Sequence, residues 1–160
     1  MTTHAASPAP STQPTYQARP DVGTERMQEV TRYLVPLGRL LFVVIFLMAV
    51  PGHFTQQTIG YAASQGVPLA GILVPVSGIL ALAGGLSVLL GYRARIGALL
   101  LVLFLVPVTL MMHKFWTVHD PMMARMQHIM FMRNLSILGG ALLLGYFGAG
   151  PISLDSRHGR

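Results

Sequence analysis

Leu40-Leu41-Phe42-Val43-Val44-Ile45-Phe46-Leu47-Met48-Ala49-Val50 opens a run that meets no Asp, Glu, Lys or Arg until Arg93. Two shorter uncharged runs follow, Ile96 to His113 and Asn134 to Leu154. A helix needs about 20 mostly apolar residues to cross a bilayer. The first run holds two such segments and a connector, and each of the others holds one. The sequence therefore predicts an all-α integral membrane four-helix bundle, with spans at about 33–52, 69–90, 96–116 and 127–147.

Composition supports this reading. Hydrophobic residues make up 52% of the chain and charged residues 10%, too few charges to coat a water-facing surface around so much apolar core. The net charge of +6 does not indicate nucleic acid, because the basic residues sit at the ends of the apolar runs and not on one face of a soluble unit. With no cysteine, disulfides, Fe–S ligation and thiol chemistry are excluded within the chain.

Residues 1–24, rich in Ala, Ser, Thr, Pro and Gln, read as a disordered cytoplasmic tail. They contain no early apolar segment of the kind a signal peptide requires. The membrane domain occupies 25–157, with 25–32 as an interfacial helical lead-in and 158–160 as a short tail. Pro51 and Gly52 end the first span or kink it. Gln56 to Pro68 forms a partly helical connector at the outer interface. The second span carries Gly71, Gly78, Gly84 and Gly85, small residues that let helices approach closely in lipid. Gly91 to Arg95 is so short a turn that the second and third spans must be antiparallel neighbours. Pro107 marks a kink in the third span, and Met122 to Met132 form a Met-rich start to the fourth.

The positive-inside rule gives the expected orientation. Arg26, Arg32, Arg39, Arg93, Arg95, Arg157 and Arg160 fall on one side, and Lys114, Arg125 and Arg133 with Asp120 on the other. Both termini are then cytoplasmic.

Few residues can carry chemistry. The carboxylates Asp21, Glu25, Glu29, Asp120 and Asp155 all lie outside the spans. Arg39 is placed to snorkel to the headgroups. Arg133 falls about 9 Å into the fourth span at the helical rise per residue, beside Asn134, where it serves as an anchor or as a site for an anion. His113, His119 and His128 lie among methionines near one end of the bundle, a donor set that suits copper, but their spacing matches no standard ligand pattern and no metal site or haem is assigned. His53 is placed to face His113 or Trp116 across the bundle. No phosphate loop, dinucleotide fingerprint or nucleophile elbow is present.

The order of short motifs resembles the DoxX family of small bacterial inner-membrane proteins. Those motifs are Gly38-Arg39, Gly52-His53-Phe54, Tyr61-Ala62-Ala63, Gly66-Val67-Pro68, Gly84-Gly85, Gly91 to Arg95, His113-Lys114-Phe115-Trp116, Phe131-Met132-Arg133-Asn134 and Gly148 to Asp155. The resemblance implies a four-helix membrane bundle in a redox setting, linked to terminal quinol oxidase and thiosulfate:quinone oxidoreductase. Two positions depart from the family. Ala81 stands where many relatives carry a Glu suited to quinol proton transfer, and Arg133 stands where they carry Lys, so the charge is kept without a general base.

Three functions follow as expectations. The leading one is a non-catalytic subunit or accessory factor of a respiratory or redox complex, docking partner membrane subunits or a second copy of the chain through the Gly-rich faces of the second and fourth spans. The alternative is a quinone-interacting oxidoreductase subunit, with quinone as cofactor in a pocket between the third and fourth spans formed by His113, Trp116, His128, Arg133 and Asn134, and with Arg39 and His53 as weaker candidates. A small-solute or lipid carrier ranks last, because the two halves show no convincing repeat.

Overall fold

Helix starts and stops in this chain follow from its Thr, Asp, Pro and Gly residues. The computed structural model describes residues 22–157. Helix α1 spans Val22–Ala49 and passes into a tight 3-10 turn at Val50–Phe54 that begins with Pro51. Thr55 then caps α2, Gln56–Ser64, its side chain accepting the Thr58 N–H. Helix α3 spans Ala70–Leu90 and α4 spans Ala94–Met112. A short turn at Phe115–Thr117 leads to α5, Pro121–Phe147, which is capped by the Asp120 side chain on the Met123 N–H with Pro121 in the first turn. Helix α6, Leu154–Arg157, closes the described chain.

Four segments are long and apolar enough to cross a membrane: Glu29–Phe54, Ala70–Leu90, Ala94–Thr117 and Pro121–Phe147. The all-α, four-span architecture is thus present. Some boundaries differ from those expected. Residues 25–32 are helical and run without a break into the first span as part of α1, which begins at Val22, inside the stretch read as tail; the rest of that tail, 1–21, lies outside the described residues, as do 158–160. The Met-rich stretch likewise belongs to one uninterrupted α5. In both places the helix continues because its exposed positions tolerate polar and apolar residues alike.

Helix α3 packs on α1 and on α4, and α4 packs on α5, so the spans follow chain order across the bundle, with α2 lying over α3 and the Val50–Phe54 turn. The α3–α4 turn is set by Gly91, whose φ of 63° lets its N–H reach the Val88 carbonyl at 3.2 Å while the Tyr92 N–H reaches Ser87 at 3.0 Å. These two bonds satisfy the last carbonyls of α3 and reverse the chain. Close approach of the two helices depends on Gly84: a Cβ there would lie 2.9 Å from the Gly97 carbonyl oxygen. The core is Val43, Phe46, Ala81, Val88, Ala98, Leu101, Phe104 and Leu105, with Ile137, Leu138 and Leu144 of α5 packed against it. One third of the most apolar stretch of α3 is buried, and one third of that of α4, against 11% for α5. The Gly78, Gly84 and Gly85 face of the second span is therefore used inside the bundle, against His53, Leu101 and Leu47, and is not available to a partner.

Candidate functional site

A cavity of about 360 Å³ lies between α3 and α4, beneath α2. Its walls are almost wholly apolar and include Ala62, Val67, Leu73, Val74, Val76, Leu80, Leu103, Phe104, Val108, Met111 and Met112. Leu73, Val76 and Leu103 are also exposed on the outside of the bundle, so the cavity borders the surface that lipid covers. Its depth follows from the helical rise: residues 73–77 stand roughly 5–10 Å along α3 from its start.

His53 is the sole ionisable side chain on this lining. It is fixed on three sides. Its Nδ1 lies 2.9 Å from the Ala49 carbonyl; a carbonyl can only accept, so Nδ1 carries the proton, and in the neutral ring Nε2 remains an acceptor. The ring packs on Phe104 with centroids 5.5 Å apart. Gly78 provides the space, since a Cβ there would come within 2.7 Å of the His53 Cβ. His53 therefore packs against Phe104 and Gly78 and does not face His113 or Trp116 as expected.

The other polar groups of the cavity are engaged within the chain. Ser77 Oγ donates to the Val74 carbonyl at 2.7 Å, and Thr58 Oγ1 lies 3.0 Å from Thr55 Oγ1. Pro107, also on the lining, has no N–H, so the Leu103 carbonyl one turn earlier lacks its helical donor. The cavity thus holds the imidazole, with Nε2 as an acceptor, in an apolar volume.

The end of the bundle nearer this cavity is held by a polar chain. His113 Nδ1 lies 2.8 Å from Gln127 Oε1, and Gln127 Nε2 donates to Tyr61 Oη at 3.2 Å. Lys114 Nζ donates to the Gln65 carbonyl at 2.6 Å. These bonds tie α2 to the ends of α4 and α5. Beside them, Phe115 packs edge-on against Trp116, His128 and Phe131, with ring centroids 4.8–5.5 Å apart.

The expected pocket residues are thus only partly together. Trp116 and His128 meet through Phe115, and His113 is committed to Gln127. Arg133 is exposed, whereas its neighbour Asn134 is buried, and none of the five lines the cavity. Among the described residues, no three His, Asp or Glu side chains converge as an ion site requires.

Arg39 departs furthest from expectation. It does not snorkel: it is 3% exposed and turns inward, where Nη2 donates to the Ile152 carbonyl at 2.6 Å. Ile152 adopts a φ of 54°, a conformation that a β-branched residue rarely takes. Asp155 returns to the same place and acts electrostatically on the guanidinium. Its carboxylate accepts the Arg93 N–H at 2.7 Å and the Ala94 N–H at 3.0 Å, capping the start of α4 from a distant part of the chain. Sequence reasoning missed this closure, together with Tyr61, Gln65 and Gln127. The available signal was Gly148 and Gly150 ahead of Pro151, which allow the chain to reverse after the last span.

Comparison with known proteins places the chain. The sequence model of the SURF4 family matches residues 5–160. The inner membrane protein YqjF of Escherichia coli strain K12 is 33% identical over 127 residues, which cover 76% of this chain and 88% of that protein. The inner membrane protein YphA of the same strain is 28% identical over 126 residues, covering 78% and 89%. No solved structure matches the chain. These matches overturn the DoxX resemblance: its motifs are short, and the Gly, Pro and aromatic residues they contain recur wherever small apolar spans turn and pack.

Proposed function

The chain belongs to the SURF4 family and is a multi-pass inner-membrane protein; from that premise we propose that it is a non-catalytic accessory protein that holds one lipophilic molecule with a hydroxyl-bearing head in the cavity between α3 and α4. The observation that carries this reading is the apolar cavity with His53 as its one ionisable lining residue. The expectation of a redox complex came with the DoxX resemblance and is withdrawn with it.

The physical argument concerns selectivity. A ligand moving from the bilayer into this cavity leaves one apolar medium for another, so the hydrophobic effect contributes little. Discrimination must come from shape and from the polar groups. Nε2 of His53 accepts, so it favours a head that donates. A quinol or a long-chain alcohol has such a head, and an ether or a hydrocarbon of equal length does not. A single imidazole can orient the head, whereas general acid–base catalysis would call for a second, differently tuned group.

The test is to purify the chain in mild detergent, identify co-purifying lipophiles by mass spectrometry, and compare binding of a long-chain alcohol with that of its methyl ether. We expect the alcohol to bind more tightly, and His53→Phe to remove the difference. Equal binding of the two by the unaltered protein would defeat the reading. So would unchanged binding in Val108→Trp, which fills the cavity.

The orientation is part of the same proposal. The positive-inside rule places the end carrying Arg93 and Arg95 in the cytoplasm, and the cavity in the opposite leaflet.

A further inference from the structure

A second cavity, of about 580 Å³, opens at the other end of the bundle, where α4 begins and α5 ends. We infer that it seats the headgroup of an anionic phospholipid on Arg93 and Arg95. The two guanidinium groups come from the start of α4 and share this cavity with the chain returning after α5. One of them lies beside Gly148, where a Cβ would meet Arg95 Nε at 3.4 Å, an ordinary van der Waals contact.

The remaining polar groups of the lining are engaged. The Asp155 carboxylate caps α4 through the Arg93 and Ala94 N–H groups. Ser153 Oγ donates to the Gly150 carbonyl, and Ser156 Oγ donates to the Ser153 carbonyl. Among the described residues, neither Arg93 nor Arg95 forms an ion pair. The cavity therefore presents two guanidinium groups against one carboxylate, with the buried Arg39 adding further positive charge behind Asp155.

Position selects a lipid over a soluble anion. The cavity lies at the end of two membrane-crossing segments, and its lining continues onto Ile96, 52% exposed, and Phe147, 71% exposed. A phosphate held by the arginines would place its acyl chains along these side chains. Guanidinium forks match phosphate oxygens in pairs, and basic pockets between spans recognise anionic headgroups. A zwitterionic lipid brings its own cation to the same place and loses much of this attraction.

The experiment uses the full chain in neutral detergent, with native mass spectrometry and thermal unfolding during titration with phosphatidylglycerol, phosphatidylcholine or inorganic phosphate. We expect phosphatidylglycerol to bind at least about tenfold more tightly than phosphatidylcholine, with the preference shrinking at high salt. Arg93→Gln with Arg95→Gln should abolish the preference, whereas Arg125→Gln with Arg133→Gln, exposed arginines in the first half of α5, should leave it intact. Equal binding of the two lipids by the unaltered protein, an equal loss in the control variant, or equal protection by inorganic phosphate would each overturn the assignment. The comparison of lipids on the unaltered protein decides the matter even if the double variant fails to fold.

Discussion

At one end of the bundle a buried guanidinium and a carboxylate hold the returning chain; at the other, a short helix lies over an apolar cavity, and an edge-on aromatic cluster packs nearby. The first closure is built from charge on backbone. Arg39 grips Ile152, and Asp155 grips the start of α4. It also carries a cost, because Arg39 Nε and Nη1 are buried without a partner among the described residues. The second closure uses neutral side-chain bonds and aromatic edges, each worth about 1 kcal/mol. Charge fixes a chain reversal; the softer cover lies over the cavity between α3 and α4.

The largest expected effect tests the charged end. Asp155→Ala should destabilise the protein by about 3–5 kcal/mol, because it removes two hydrogen bonds from the start of α4 to a charged acceptor, each worth about 1.5–3 kcal/mol, read from thermal unfolding in detergent. Arg39→Met should cost far less, because it removes the buried charge and its two unpartnered nitrogens together. If the two variants cost the same, the guanidinium is a net stabiliser and the account of this end is wrong.

Next in size is Gly91→Ala. A Cβ there would overlap Arg39 Nη1 and lie 2.5 Å from the Ser153 Cβ, at a φ of 63°. Left-handed backbone costs about 1–2 kcal/mol and overpacking about 1–3 kcal/mol more, so a loss of roughly 2–4 kcal/mol is expected in the same unfolding assay. Gly139→Ala, where a Cβ meets nothing within 4 Å, is the matched control and should be near neutral.

His53→Phe should leave stability within about 1.5 kcal/mol, as a near-isosteric replacement beside Phe104, while weakening the hydroxyl-bearing ligand about 2–10-fold, the worth of one hydrogen bond. Gln127→Leu gives the smallest effect, about 1 kcal/mol, by cutting the chain from His113 to Tyr61. A Gln127→Leu loss as large as that of Asp155→Ala would erase the distinction between the two ends.

Much of the architecture was legible in the sequence. The span from Leu40 to Tyr92 without a charged residue could only be two helices and a connector, and Gly91 to Arg95 left no room for anything but a reversal. Gly84 and Gly85 were legible as packing residues, but not the side they packed on. The candidate site was less legible. His53 appeared as a weak candidate, while the stronger set was divided, Arg133 outward and Asn134 inward, because adjacent residues on a helix point about 100° apart and only the neighbouring helices determine which of them is enclosed.

The sequence by itself determined the number of spans, their lengths and the membrane as their solvent, because uninterrupted apolar length is a local property that the bilayer thickness converts directly into a fold class. Only the tertiary structure decided that Arg39 turns inward, that Asp155 caps a helix some sixty residues earlier in the chain (Arg93 N–H at a separation of 62), and that α2 covers a cavity holding His53. Each of these depends on a contact between segments far apart in the chain, and periodicity within a segment carries no information about which distant backbone will supply its hydrogen bonds.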